Sequence, residues 1–327
     1  MSEGGGSSRS AWSWIVPVVL AAVLLILFLR GVNWGQVWAD IAKARWGYLI
    51  AASLVTSVNF FLRSCRWRIL LNAEGRFSVG TVFSANMAGY LGNNFLPARA
   101  GELIRTFIIS SQSRLSKTYV LTTALAERMS DAIALVLWSS VVLLGVEPKP
   151  AWLENVSRAT TLIASAGALA IIVIPHTGGL CETVIGRIPM PEGIRARLLK
   201  AAEQILAGLR VFHSWRRLGA FALMTAAIWT LDAVSVMIGG RGFGLEISFT
   251  MAALLLTGMG LGSALPSTPG YVGIYQAVAI TVLVPFGISK ESALAYMLAA
   301  QAMGYVVVVV LGLPAILRYR GWRKATQ

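Results

Sequence analysis

The sequence predicts an all-α polytopic integral membrane protein, with about six full spans and two oppositely oriented re-entrant helical hairpins in an inverted-repeat architecture. Three observations point there. Of 327 residues, 56% are hydrophobic and only 13% are charged, whereas ordinary soluble domains carry about 25% charged residues. The mean hydropathy is +0.70, and apolar runs recur along the whole chain. Two Gly- and Pro-containing breaks of one pattern interrupt apolar segments at matching points of the two halves. So little polar material cannot cover a soluble fold. This excludes a soluble enzyme, a DNA-binding protein and a secreted disulfide scaffold. The net charge of +14 then reads as Lys and Arg in cytoplasmic loops beside anionic lipid, not as a nucleic-acid footprint. Cys65, Cys181, His176 and His213 are isolated from one another, so no disulfide framework, metal site or cofactor is expected.

The strong apolar runs are Trp12–Leu29, Gly47–Leu62, Tyr119–Val146, Ala159–Ile174, Leu218–Gly239 and Ser292–Leu313. Each approaches the length of about 20 residues that a spanning helix needs. The first follows Arg9 and is longer than a signal-peptide core, with Arg30 after it and no A-x-A site, so an uncleaved span is expected. Val32–Trp46, carrying Trp34, Trp38 and Trp46 with Lys43 and Arg45, suits an interfacial helix. Pro191–Phe212 places Ile194, Leu198, Ala202, Ile205 and Leu209 at helical spacing, as either an amphipathic helix on the bilayer or a solvated linker helix. The chain reads as a single transmembrane domain, residues 1–327. Its first half covers about 12–175 and its second about 218–317, joined by a cytoplasmic amphipathic segment, 176–217.

Phe83–Phe95 and Met251–Leu265 are moderately apolar, and each runs into a break. The breaks share L-P-x-x-x-G, at Leu96–Gly101 and Leu265–Gly270. Interrupted segments at corresponding positions are the sequence mark of a transporter site between inverted repeats. With both breaks as re-entrant hairpins, the cytoplasmic segments hold 20 Lys and Arg against 7 outside. Positive charge gathers inside, so both termini are expected in the cytoplasm of a cell inner (plasma) membrane. Pairs of full spans in place of the hairpins give the same sidedness; the short limbs favour hairpins.

Intramembrane charge is costly and faces protein or water. Tyr119–Val146 carries Glu127, Arg128 and Asp131. Glu127 and Asp131, four apart, share a face, and Arg128 can pair with Asp131. They are either a structural ion pair or the polar wall of a head-group pathway. Asp232 stands alone in its span and needs a partner. Arg63, Arg66 and Arg68, at the cytoplasmic end of the second span, are expected to snorkel to phosphate head groups. At the second break, Ser267 or Thr268 is expected to cap a helix with Pro269 in its first turn. A second helix should start near Ala100, with Arg99 and Arg105 beside it. Helix N-termini backed by arginine suit phosphate or carboxylate. Alternatively, the glycines and prolines only permit close helix packing.

The string Asn93-Asn94-Phe95-Leu96-Pro97-Ala98-Arg99-Ala100-Gly101-Glu102 with Arg105 resembles the signature of the flippase-like transmembrane family of lysylphosphatidylglycerol synthase. So do Glu127-Arg128 with Asp131, and Pro266-Ser267-Thr268-Pro269-Gly270 with Gly273 and Gln276. The resemblance covers nearly the whole chain. It implies a polytopic helical fold that moves a lipid between leaflets. In the best-known members the lipid is an aminoacylated phosphatidylglycerol, and a soluble aminoacyltransferase domain follows. This chain stops at Gln327 without one, so a stand-alone member without synthase activity is expected. Polyprenyl-phosphate-linked lipids and glycolipids are also open as substrates.

The leading expectation is an ATP-independent lipid flippase or scramblase, since the chain has no Walker A loop. Its partners would be a membrane lipid with a phosphate-containing head group and anionic lipids at the cytoplasmic surface. The oligomeric state is open, a homo-oligomer included. The substrate-binding residues expected are Asn93, Asn94, Pro97, Arg99, Gly101, Glu102, Arg105, Glu127, Arg128, Asp131, Asp232, Pro266, Ser267, Thr268, Pro269, Gly270 and Gln276. A secondary carrier or channel for a small soluble anion is the alternative. An intramembrane lipid-phosphate enzyme is disfavoured, because no nucleophile lies beside a base or a metal cluster.

Overall fold

A computed structural model describes residues 29–96, 100–144, 214–263 and 269–325, with scattered positions between 158 and 203. The described residues form helices and no strand. In chain order the helices are α1 (Trp34–Lys43), α2 (Trp46–Leu71), α3 (Val79–Phe95), α4 (Ala100–Ser111), α5 (Lys117–Leu144), α6 (Trp215–Gly242), α7 (Phe249–Gly262), α8 (Ile274–Leu283) and α9 (Lys290–Ala325). Short 3₁₀ turns occupy Pro269–Tyr271 and Val284–Phe286. The expected first span up to residue 28, part of Ala159–Ile174 and most of the Pro191–Phe212 helix lie outside the described residues.

Among the described residues, three helices are long and apolar enough to cross a membrane: α2, α6 and the Lys290–Tyr319 portion of α9. At 26 residues, α2 is about 39 Å long, more than the roughly 30 Å of hydrocarbon it must cross. It continues to Leu71, past the expected end at Leu62, and so carries Arg63, Arg66 and Arg68 within the helix. Helix α5, at 28 residues, is also long enough, but Glu127, Arg128 and Asp131 sit near its middle. The limbs beside the two breaks are short. Helices α4, α7 and α8 have 12, 14 and 10 residues, which at 1.5 Å per residue is about 15–21 Å, less than the hydrocarbon thickness.

The segment expected to form an interfacial helix is helical over Trp34–Lys43. Asn33 caps α1 through its side-chain oxygen, which accepts from Gln36 N at 3.2 Å. Val37 buries one face against Leu294 and Ala295, and Asp40 accepts from Ser292 Oγ at 2.8 Å. Trp38 is left 63% exposed.

The chain resolves into two compact units, each drawing on both sequence halves. The first comprises Met1–Ser57, Gly89–Gly101 and Leu231–Pro314; the second comprises Val58–Ala88, Glu102–Thr230 and Ala315–Gln327. In the first, Gly258 and Gly262 of α7 lie against Val278 and Ile274 of α8, with no room for a Cβ at either glycine. That is close small-residue packing of the kind membrane helices use. In the second, Trp67, Leu70, Leu71, Ala85, Ile109, Val120 and Phe221 build a buried cluster, against which Ile316 and Tyr319 of α9 pack. Tyr319 OH lies 3.1 Å from Ser111 Oγ.

Candidate functional site

Seven charged side chains of the second unit form one alternating chain. On α2, Arg66 is fully buried. Its Nη1 and Nη2 donate to the two oxygens of Asp131 at 2.6 and 2.9 Å, a bidentate pair. Nη2 also reaches Glu127 Oε1 at 3.0 Å, and Nη1 reaches Thr225 Oγ1 of α6 at 3.1 Å. The other oxygen of Glu127 accepts from Arg105 Nη1 of α4 at 2.8 Å. Arg105 Nε donates to Glu102 Oε2 at 2.6 Å, and Glu102 Oε1 accepts from Arg128 Nε at 2.9 Å. At the far end, Arg63 Nη1 lies 3.7 Å from Asp131 Oδ2. The order is therefore Arg63, Asp131, Arg66, Glu127, Arg105, Glu102 and Arg128.

The helices place these groups by simple periodicity. Glu127 and Asp131 are four apart and face α2 together, while Arg63 and Arg66 are three apart and face back. Neutral groups complete the shell. Asn86 of α3 accepts from Arg105 Nη1 at 2.9 Å and donates to Ser64 Oγ at 3.1 Å. Aromatic rings cover the guanidinium faces: Trp67 at 4.5 Å from Arg105, Phe221 at 5.1 Å from Arg66 and Trp229 at 4.7 Å from Arg63. Burial falls toward one end. The side chains of Arg66 and Arg105 are 0% and 2% exposed, that of Glu102 13% and that of Arg128 30%.

Two expectations change here. Arg63 and Arg66 do not snorkel to head groups. Because α2 runs on to Leu71, Arg63 and Arg66 point at the α5 carboxylates, and Arg68 Nε donates to Phe77 O at 2.6 Å. Asp131 pairs with Arg66 and Arg63, and Arg128 reaches across to Glu102 on α4. Two acids four apart on an apolar helix require matching cations, and that requirement was the signal pointing to Arg63 and Arg66.

The remaining described candidates belong to the first unit. Asn93 Oδ1 accepts from Gly101 N at 3.0 Å, and a Cβ on Gly101 would strike the Gly89 carbonyl. Asn94 is half-buried on α3, and Asp232 is half-buried on α6. At the second break the helix starts later than expected. Gly270 and Tyr271 are left-handed, at φ 68° and 63°, and Gly273 has φ 91°, so helical backbone begins only at Ile274. At the start of α8, Gln276 Oε1 accepts from Gly273 N at 2.7 Å. Gln276 Nε2 donates to Gln301 Oε1 at 2.6 Å. Gln301 Nε2 and Tyr305 OH of α9 both donate to Gly270 O, at 2.6 and 2.8 Å. Gln301 and Tyr305 carried no signal in the sequence. Pro269 lies in the 3₁₀ turn. Pro97, Arg99, Pro266, Ser267 and Thr268 lie outside the described residues. Among the described residues, no group of three His, Cys, Asp or Glu side chains could hold a metal ion.

The sequence pattern of the lysylphosphatidylglycerol synthase transmembrane region matches residues 14–312. The chain belongs to that family. Members of the lysylphosphatidylglycerol synthase transmembrane family are multi-pass membrane proteins, in keeping with the long apolar helices. Two archaeal UPF0104 membrane proteins are similar over nearly full length. The one from Methanothermobacter thermautotrophicus is 21% identical over 92% of this chain and 94% of its own. That of Pyrococcus horikoshii is 20% identical over 94% and 96%. A Haloferax volcanii protein named glycosyltransferase AglD is 24% identical over 93% of this chain. The match spans about half of that protein, 53% of its length.

Proposed function

We propose that this family member moves the charged head group of an anionic or modified lipid between leaflets, without ATP and without catalysing a reaction. Candidate lipids are an aminoacyl-phospholipid, a polyprenyl-phosphate-linked lipid and a glycolipid. The observation that carries the reading is the alternating ion chain, buried in apolar helices and ending at the partly exposed Arg128–Glu102 pair. An isolated charge in hydrocarbon costs several kcal/mol or more. A preformed series of arginines, each already held by a carboxylate, can exchange one partner for a phosphate oxygen without stranding a charge. Arg128 is where that exchange would start, with Glu102 released as the head group binds. The lipid tails need no protein surface.

The short limbs α4, α7 and α8 support two re-entrant hairpins. The charge asymmetry supports cytoplasmic termini in the cell inner membrane. With the buried Arg63, Arg66 and Arg105 removed from the loops, 17 basic residues still face 7.

Reconstitution tests the reading. Purified protein in liposomes should speed leaflet exchange of fluorescent phosphatidylglycerol, its aminoacylated form or a polyprenyl phosphate, followed by a membrane-impermeant reductant, in the absence of nucleotide. No acceleration for any of the three, together with uptake of a small soluble anion into the same liposomes, favours the anion carrier instead.

A further inference from the structure

We propose that Tyr305 of α9 is a positioning residue that ties the two L-P-x-x-x-G breaks together. Both contacts lie within the first unit. Its hydroxyl donates to Gly270 O at 2.8 Å, at the end of the second break. Its ring lies 6.4 Å, centroid to centroid, from Phe95, which closes α3 at the start of the first break, within the range of an aromatic pair. One side chain therefore touches the end of the second break by a hydrogen bond, and the residue that leads into the first by a ring contact.

The second break needs such a tie. Gly270, Tyr271 and Gly273 hold positive φ, and for Tyr271 that conformation is costly because it has a Cβ. A strained backbone persists only where its surroundings over-determine it. Here Gly270 O accepts from Gln301 as well as from Tyr305, Gln301 Nε2 also reaches Tyr305 OH at 3.2 Å, and Gln276 joins Gln301 to the Gly273 amide. Tyr271 stacks on Tyr275 at 5.2 Å. Space at Gly270 is closed as well: a Cβ there would collide with the Tyr305 hydroxyl. Tyr305 stands one helical turn after Gln301 on α9, so both side chains reach the same carbonyl. For transport, it makes the first break follow the second; that consequence rests on the reading above, and the tie itself does not.

Spin labels at Leu96→Cys and Val272→Cys, both exposed positions, report the tie in full-length protein whose Cys65 and Cys181 are replaced by serine. The expected result is one narrow distance population in the parent, broadened in Tyr305→Phe, which keeps the ring and loses the hydroxyl. In Tyr305→Ala, which loses both contacts, the single population should be lost. A Tyr305→Ala distribution that coincides with the parent overturns the proposal. Should Tyr305→Ala fail to fold, Tyr305→Phe decides, and a parent-like distribution there overturns it. Lipid exchange is measured on the same samples. Broadening in the variants with no exchange in any protein supports the tie and counts against transport alone.

Discussion

Arg66 and Arg105, carried on α2 and α4, hold opposite oxygens of one carboxylate, that of Glu127. Glu127 is thus the point at which the buried ion chain can be cut into two. Each arginine is also bound to a further acid, so removing one leaves Glu127 paired once and a second carboxylate short of a partner.

That geometry makes the two arginines energetically coupled. Arg66→Gln should destabilise the protein by about 3–5 kcal/mol, the usual cost of stranding a buried charge. Arg105→Gln should cost a similar amount. Together they should depart from additivity by about 0.5–3 kcal/mol. Thermal unfolding of the two single variants and the double variant in detergent measures the coupling, and strict additivity would show that Glu127 does not transmit it.

Arg128 separates stability from transport. With its side chain 30% exposed, Arg128→Gln should cost no more than about 1 kcal/mol, as for other partly exposed pairs. If the proposed function holds, it should still slow lipid exchange strongly, since Arg128 is where that proposal has a head group enter the ion chain. Unfolding temperature and exchange rate are read on the same preparation. Wild-type exchange in this variant would remove Arg128 from the site.

Two glycines test the packing at the breaks. Gly101→Ala drives a methyl group into the Gly89 carbonyl, and overpacking of this kind costs about 1–3 kcal/mol. Gly270→Ala should cost more, because left-handed backbone and the Tyr305 hydroxyl both oppose it. Removing that hydroxyl with Tyr305→Phe should recover part of the Gly270→Ala loss and none of the Gly101→Ala loss. Unfolding midpoints for the three single variants and the two double variants decide it.

The orientation has its own check. Single cysteines placed in 176–217 and in the 318–324 tail should resist a membrane-impermeant maleimide added outside intact cells, and react once the membrane is opened. Strong labelling from outside at either place would invert the topology.

Much of this was legible in the sequence where chemistry contradicted its surroundings. Glu127, Arg128 and Asp131 stood out because acids and a base in an apolar helix demand a reason. Arg66 did not, because it sits at the end of an apolar run, where hydropathy cannot distinguish a buried arginine from one that snorkels. Only the continuation of α2 to Leu71 and the facing acids of α5 decide between the two. The start of α8 was misplaced for a related reason. Ser267 and Thr268 are better caps than Gly273 by propensity, yet Gln276 Oε1 accepts from the Gly273 amide, and three positive φ angles delay the helix. Gln301 and Tyr305 act on a backbone carbonyl more than 30 residues away in sequence. Such a contact leaves no local pattern.

Tyr319 meets Ser111 across 208 residues of sequence, and that span sets an order of assembly. The cluster around Trp67, Ile109 and Phe221 receives its covering side chains Ile316 and Tyr319 from α9. During synthesis, the helices that carry the ion chain are therefore in the bilayer well before those covering side chains have been made. Contacts so distant in sequence form slowly, because the loop must close before they repay its entropy. A nascent chain halted before residue 316 would present an uncovered apolar face beside already paired arginines, a state that membrane chaperones and quality-control proteases are suited to recognise.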